Sequence, residues 1–90
     1  MLTHIVKRKG HKEPFDSRKI YASAYASCRN VHLSEIQSEK IAEAVELRMR
    51  KWIEQKQEVN SEDIFQEVIK ILKELEPDAA FMYETHRDIS

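Results

Sequence analysis

One glycine, two prolines and one cysteine occur in 90 residues, and each scarcity removes a class of structure or chemistry. With Gly10 standing alone, neither a Walker-type phosphate loop nor a dinucleotide-binding glycine fingerprint can be written. Any phosphate ligand would have to be held by side chains and helix ends. So little glycine and proline leaves small scope for irregular loops, and helices should dominate. Cys28 has no partner for an internal disulfide, and no N-terminal apolar run resembles a secretory signal, so the chain reads as cytoplasmic. The apolar runs are a few residues long, far short of the roughly 20 that cross a bilayer, and no membrane association is expected. His4, His11, His32 and His86 fall in different segments, and no pair has zinc-site spacing. Nothing resembles a nucleophile with its base. No catalytic residue and no metal ligand is assigned, and an enzymatic role is not expected.

What remains is a chain that is 41% hydrophobic and 34% charged, enough apolar material for one packed core and too short for two. Residues 1–90 are therefore read as one domain. The formal net charge of -1 hides an asymmetry. Residues 1–19 hold Lys7, Arg8, Lys9, Lys12, Arg18 and Lys19 against Glu13 and Asp16, six bases to two acids, a local +4. The rest holds nine bases and 14 acids, a local -5. A basic edge on an acidic body suits one compact anion site; a surface that binds duplex DNA usually carries net positive charge. A merely solvated basic edge is the plainer reading of the same numbers.

The β-branched run in Leu2 to Arg8, the Lys9-Gly10 turn and the segment Lys12 to Phe15 predict a hairpin, with Pro14 placing its second strand at a sheet edge. Asp16 is the expected N-cap of a first helix in which Ile20, Ala24 and Cys28 recur every four residues and which ends near Asn30. Ser34 and Gln37 have capping-box spacing and open a second helix, with an apolar stripe of Ile41, Val45, Met49 and Trp52, running to about Glu54. Glu58-Val59-Asn60 is a candidate third strand, and Asn60 or Ser61 a cap for a third helix with a wide apolar face from Ile64 to Leu75. Pro77-Asp78 starts a fourth. The predicted class is α+β, mainly helical: about four helices capped by a small three-stranded β-sheet.

The basic stretch meets this outline at the junction of hairpin and first helix. Lys19 stands in the first turn of that helix, where the helix dipole disfavours a cation unless an anion is expected nearby. Lys7, Lys19 and Arg8, with free amides of the helix start, could gather round a triphosphate whose charge Mg²⁺ partly offsets. Val6, Phe15 and Ile20 could form a slot for a purine, and Glu13 and Asp16 could accept hydrogen bonds from the base or ribose. Core packing is the competing role for Phe15 and Ile20.

This stretch resembles the N-terminal signature of the ATP-cone family: a strand ending in Lys7-Arg8, the turn glycine Gly10, an acid-hydrophobic-acid strand from Glu13 to Asp16, and a helix opening with Lys19-Ile20. A second segment, Val59 to Ile64 and on to Val68, is similar to the family's short strand feeding a helix through Thr or Ser. A third, with Pro77, Ala80, Tyr83 and Arg87, keeps the family's terminal spacing. Lys9 departs from the pattern, which usually has an acid there. The resemblance implies a helical bundle binding ATP or dATP beneath its cap. Lys7, Arg8 and Lys19 would contact phosphates, Glu13 and Asp16 the base or ribose, and Ser61 the ribose or phosphates, with Val6 and Ile20 lining the base pocket.

Members of that family generally stand at the N-terminus of ribonucleotide reductase subunits, or follow a zinc ribbon in the repressor of their genes. The resemblance therefore implies a regulatory module that senses ATP or dATP and controls its own oligomerisation or a partner such as a ribonucleotide reductase subunit. Direct nucleic-acid binding is not expected, because neither a zinc ribbon nor a recognition helix rich in Arg and Lys is visible. Two other readings stay open: a nucleic-acid-associated transcriptional regulator, and a helical interaction module indifferent to nucleotide.

Overall fold

The computed structural model describes residues 4–6 and 12–85. Four helices make up most of it: α1 (Ser17–Asn30), α2 (Glu35–Ile53), α3 (Ser61–Leu75) and α4 (Pro77–Thr85). Three strands of three residues each, β1 (His4–Val6), β2 (Lys12–Pro14) and β3 (Glu58–Asn60), lie in the order β2-β1-β3. β1 runs antiparallel to β2, pairing His4 with Pro14 and Val6 with Lys12, and parallel to β3, pairing His4 with Glu58 and Val6 with Asn60.

The expected α+β class is corrected by these proportions. Helices of 14, 19, 15 and 9 residues face strands of three, and the core is a helix-on-helix core. Of the strand residues whose burial is described, Val59 belongs to the buried cluster and Ile5 packs against it. The pairing is too short to form a layer of its own, so the fold is an all-helical packing with a strand fringe. The physical reason is that the helices carry nearly all of the buried apolar side chains. Of the expected strand from Leu2 to Arg8 the described part is His4–Val6, and the Lys9-Gly10 turn lies outside the described residues.

The helix ends follow their local chemistry. Asp16 accepts a hydrogen bond from the Arg18 amide at the start of α1. Ser34 and Gln37 form the reciprocal box at the start of α2, and Asn60 caps α3 through the Asp63 amide. Each accounts for one or two otherwise unpaired amides and stabilises its helix by about 1 kcal/mol. α1 stops without glycine: the Leu33 amide returns to the Cys28 carbonyl at 3.1 Å and the His32 amide to Arg29 at 3.0 Å, with His32 at φ 68.

The buried line of α2 runs through Ser38, Ala42, Val45, Met49 and Ile53, while Ile41 and Trp52 sit at the flank, half-buried. The stripe is thus turned toward small residues relative to the expected Ile41-Val45-Met49-Trp52. Ala42 and Ser38 have so little bulk that α1 can lie close with Ala24 and Cys28, all four fully buried. α3 supplies the other wall through Ile64, Val68, Ile69, Ile71 and Leu72, and α4 closes it with Ala79 and Ala80. No helix among the described residues is long and apolar enough to cross a membrane.

Candidate functional site

Sheet and helix starts together decide where the expected site residues fall. Val6 ends β1 opposite Asn60, so the chain leaves β1 beside the first residue of α3, Ser61. Glu13 is the central residue of β2, paired with Ile5. Pro14, the partner of His4, leads at the other end of the sheet into Asp16 and the first turn of α1. Three residues of strand measure roughly 10 Å, so the two groups flank a distance that a nucleotide lying along the sheet can bridge. Lys7 and Arg8 lie outside the described residues.

Asp16 and Lys19 share one helical turn, the Lys19 amide reaching the Asp16 carbonyl at 3.2 Å. Asp16 is also committed to its neighbour: its carboxylate takes the Arg18 amide at 3.0 Å and the Arg18 guanidinium at 3.2 and 3.3 Å. Those bonds, side chain first and then backbone, hold its carboxyl below the usual carboxylate value, with Lys19 adding to the effect. Arg18 and Lys19 are exposed. Ile20 is buried in the core cluster and Phe15 packs against it.

The two helix starts differ in charge. The first turn of α1 contains no acid, whereas that of α3 contains Glu62 and Asp63. Acids at an N-terminus are the ordinary stabilising arrangement, and α1 has only its N-cap Asp16, which Arg18 pairs, with no acid in the turn itself. Phosphate charge is therefore compatible with α1 and repelled at α3. Ser61, exposed at the start of α3, is better suited to a hydroxyl or an amine.

Two features at these places escaped sequence reasoning. Arg50 and Lys51, from the last turn of α2, line a shallow groove with Phe15, Asp16 and Ser17. The Arg50 guanidinium donates to Ser17 Oγ and to Glu46 Oε2, each at 3.3 Å. In the sequence they look like ordinary dipole-matched cations at a helix end, and only antiparallel packing of α1 on α2 brings them to the start of α1. The second is a stacked pair: Phe65 and Tyr83 have ring centroids 5.4 Å apart. Phe65 follows Ser61 by four positions and shares its helix face. The spacing from Ser61 to Phe65 was the available signal. Among the described residues no group of three or more His, Cys, Asp or Glu is placed to hold a metal ion.

Comparison with known proteins agrees with the motifs. The pattern of the ATP cone domain matches residues 3–89. The transcriptional repressor NrdR of Carboxydothermus hydrogenoformans is 32% identical over 90 residues, covering 96% of this chain and 57% of the repressor. The chain thus spans little more than half the length of that relative. A relative named as a transcriptional repressor also stands against the expectation that excluded nucleic acid. Matched along nearly its whole length, the chain belongs to the ATP-cone family.

Proposed function

We propose that the chain is a non-enzymatic cytoplasmic sensor that binds ATP or dATP, carried with Mg²⁺, and that the bound nucleotide decides which complex forms. The observation that carries this reading is the charge contrast between the two helix starts, set beside the family membership. Lys19 in the acid-free first turn of α1, with Lys7 and Arg8, takes the phosphates. Glu13 of β2 and Asp16 at the α1 end of the sheet take the base or ribose, and Ser61 at the other end takes a polar contact with the ribose or phosphates. Val6 and the core-anchored Ile20 border the purine. Mg²⁺ travels with the phosphates, bound mainly through their oxygens rather than by a dedicated protein cage.

A sensor that tells ATP from dATP must read one hydroxyl. Polar groups that pair with the 2′-hydroxyl are left unsatisfied by dATP, and coupling of roughly 1 to 3 kcal/mol changes partner affinity about 5- to 150-fold. The regulated complex is then either self-association or a ribonucleotide reductase subunit. Titration calorimetry with ATP, dATP and GTP in the presence of Mg²⁺ tests the reading. Lys19→Ala is expected to weaken adenine-nucleotide binding by about 1.5 to 3 kcal/mol, the worth of a charge-assisted bond. Unchanged affinity removes the assignment of the α1 start.

The likeness to a transcriptional repressor favours a second reading, in which the same nucleotide site is the control element of a longer DNA-associated protein. A steeply salt-dependent gel shift by the longer protein, altered by nucleotide, is its expected signature.

A further inference from the structure

Two polar edges run along α3. Ser61 and Phe65 stand four positions apart on one, and Asp63, Glu67 and Lys70 recur at helical spacing on the opposite one. That second edge walls an open groove of about 690 Å³. Its other wall is Trp52 from the last turn of α2 with Lys56 from the turn that follows, and Glu58 of β3 stands between them. Trp52, Lys56 and Glu67 are half-buried, while Glu58, Asp63 and Lys70 are exposed. The Lys56 ammonium lies 4.8 Å from the centre of the Trp52 ring, so the indole face already holds a cation. Neither Asp63 nor Glu67 takes part in an ion pair among the described residues. Asp63 suits the start of a helix, but Glu67 lies a full turn further in and gains little from the helix dipole. With three acids to two bases, the lining of the groove is net negative.

An indole face beside two carboxylates matches the chemistry of a guanidinium. Its plane stacks on the ring while its forked N–H donors meet carboxylate oxygens. The Lys56 ammonium is a point charge and serves the ring alone. Because the groove is open, a small free cation would remain largely in water, whereas a side chain presented by a protein surface brings its own cover. We propose that the Trp52–Asp63–Glu67 groove is a docking site for an arginine side chain of a partner protein, whose guanidinium displaces Lys56 from the indole and pairs with the two carboxylates. Lys56 then acts as an internal occupant that any partner must outcompete. The groove lies on the face of α3 opposite Ser61, so the proposal goes beyond the nucleotide reading and does not rest on it.

Trp52 is the one tryptophan of the chain, so its fluorescence reports on the groove directly. Titrating the full chain, without nucleotide, with the blocked tripeptide acetyl-Gly-Arg-Gly-amide should give a saturable change in that fluorescence. D63N/E67Q should raise the half-saturation concentration roughly fivefold or more. K56A should lower it about two- to fivefold, because the competing internal cation is gone. Helical circular dichroism should be unchanged in both variants. The corresponding lysine tripeptide should bind more weakly than the arginine one, lacking the planar fork. Absence of a saturable change overturns the proposal, as does binding that ignores D63N/E67Q or fails to tighten in K56A. A lysine tripeptide or spermidine that binds as well as the arginine tripeptide overturns the assignment to arginine. With no nucleotide present, any of these failures leaves the nucleotide reading untouched.

Discussion

Ser17 Oγ donates to Glu46 Oε2 at 2.8 Å across 29 positions of sequence. The same carboxylate oxygen accepts from Arg50 at 3.3 Å, so one acid of α2 ties the first turn of α1 to the end of its neighbour. That turn carries Lys19 and follows the N-cap Asp16, so the tie fixes it against α2. Ser17→Ala removes the donor to Glu46 and the acceptor of the Arg50 Nε–H while leaving the Glu46–Arg50 pair in place, so a cost of about 1 kcal/mol is expected by thermal denaturation. If Lys19 serves the phosphates, the same variant loosens nucleotide binding more than a stability-matched change in α4. Equal effects of the two on affinity argue against a positioning role for Ser17.

The end of α1 leads to a stabilising substitution. His32 occupies the left-handed region at φ 68, with both carbonyl-closing bonds of the turn formed around it. A Cβ is costly there, and glycine is the residue most helices place at this position. His32→Gly should raise stability by about 1 kcal/mol, read as a higher denaturation midpoint with unchanged slope. A lower midpoint would show that the imidazole makes contacts worth more than the strain.

Such local signals are what the sequence displays well. Asp16, the Ser34-Gln37 box and Asn60 act within three residues of themselves, so their helices could be placed from the chain alone. The end of α1 near Asn30 was placed without a glycine, the one glycine lying elsewhere. Tertiary choices were less visible. The core line of α2 passes through Ser38 and Ala42 rather than through the bulkier Ile41, because close approach to α1 favours small side chains. The α+β class was overdrawn because strand propensity does not tell how little the paired strands contribute to the core. In the candidate site, Asp16 and Lys19 were legible as neighbours. The arrival of Arg50 and Lys51 beside them required the packing angle of two helices.

Ser38 poses a question that a single substitution answers. Its hydroxyl is fully buried without a hydrogen-bond partner among the described residues, which in a core costs roughly 1 to 3 kcal/mol. Ser38→Ala removes the unpaired group, keeps nearly the same volume and installs the better helix former. Chemical denaturation should show a gain of about 0.5 to 2 kcal/mol. A loss instead would reveal an internal water or another acceptor satisfying the hydroxyl.

Cys28 makes the pH dependence of the fold testable. Burial, and secondarily the charge of Glu76, raise its thiol above the ordinary 9.0. The folded state therefore keeps this proton at a pH where the unfolded chain has released it. The resulting stability is fully present below pH 9 and is lost as pH rises past the unfolded value toward the folded one. Cys28→Ala has no thiol to titrate, and it loses the same amount of packing at every pH. Denaturation of both proteins at pH 8 and pH 10 isolates the effect, because the other titrating groups cancel in the difference. The stability advantage of the wild type over the variant should shrink between the two conditions. A constant difference would mean that the thiol titrates alike in folded and unfolded chains, and thus that the α1–α2 seam admits water at Cys28.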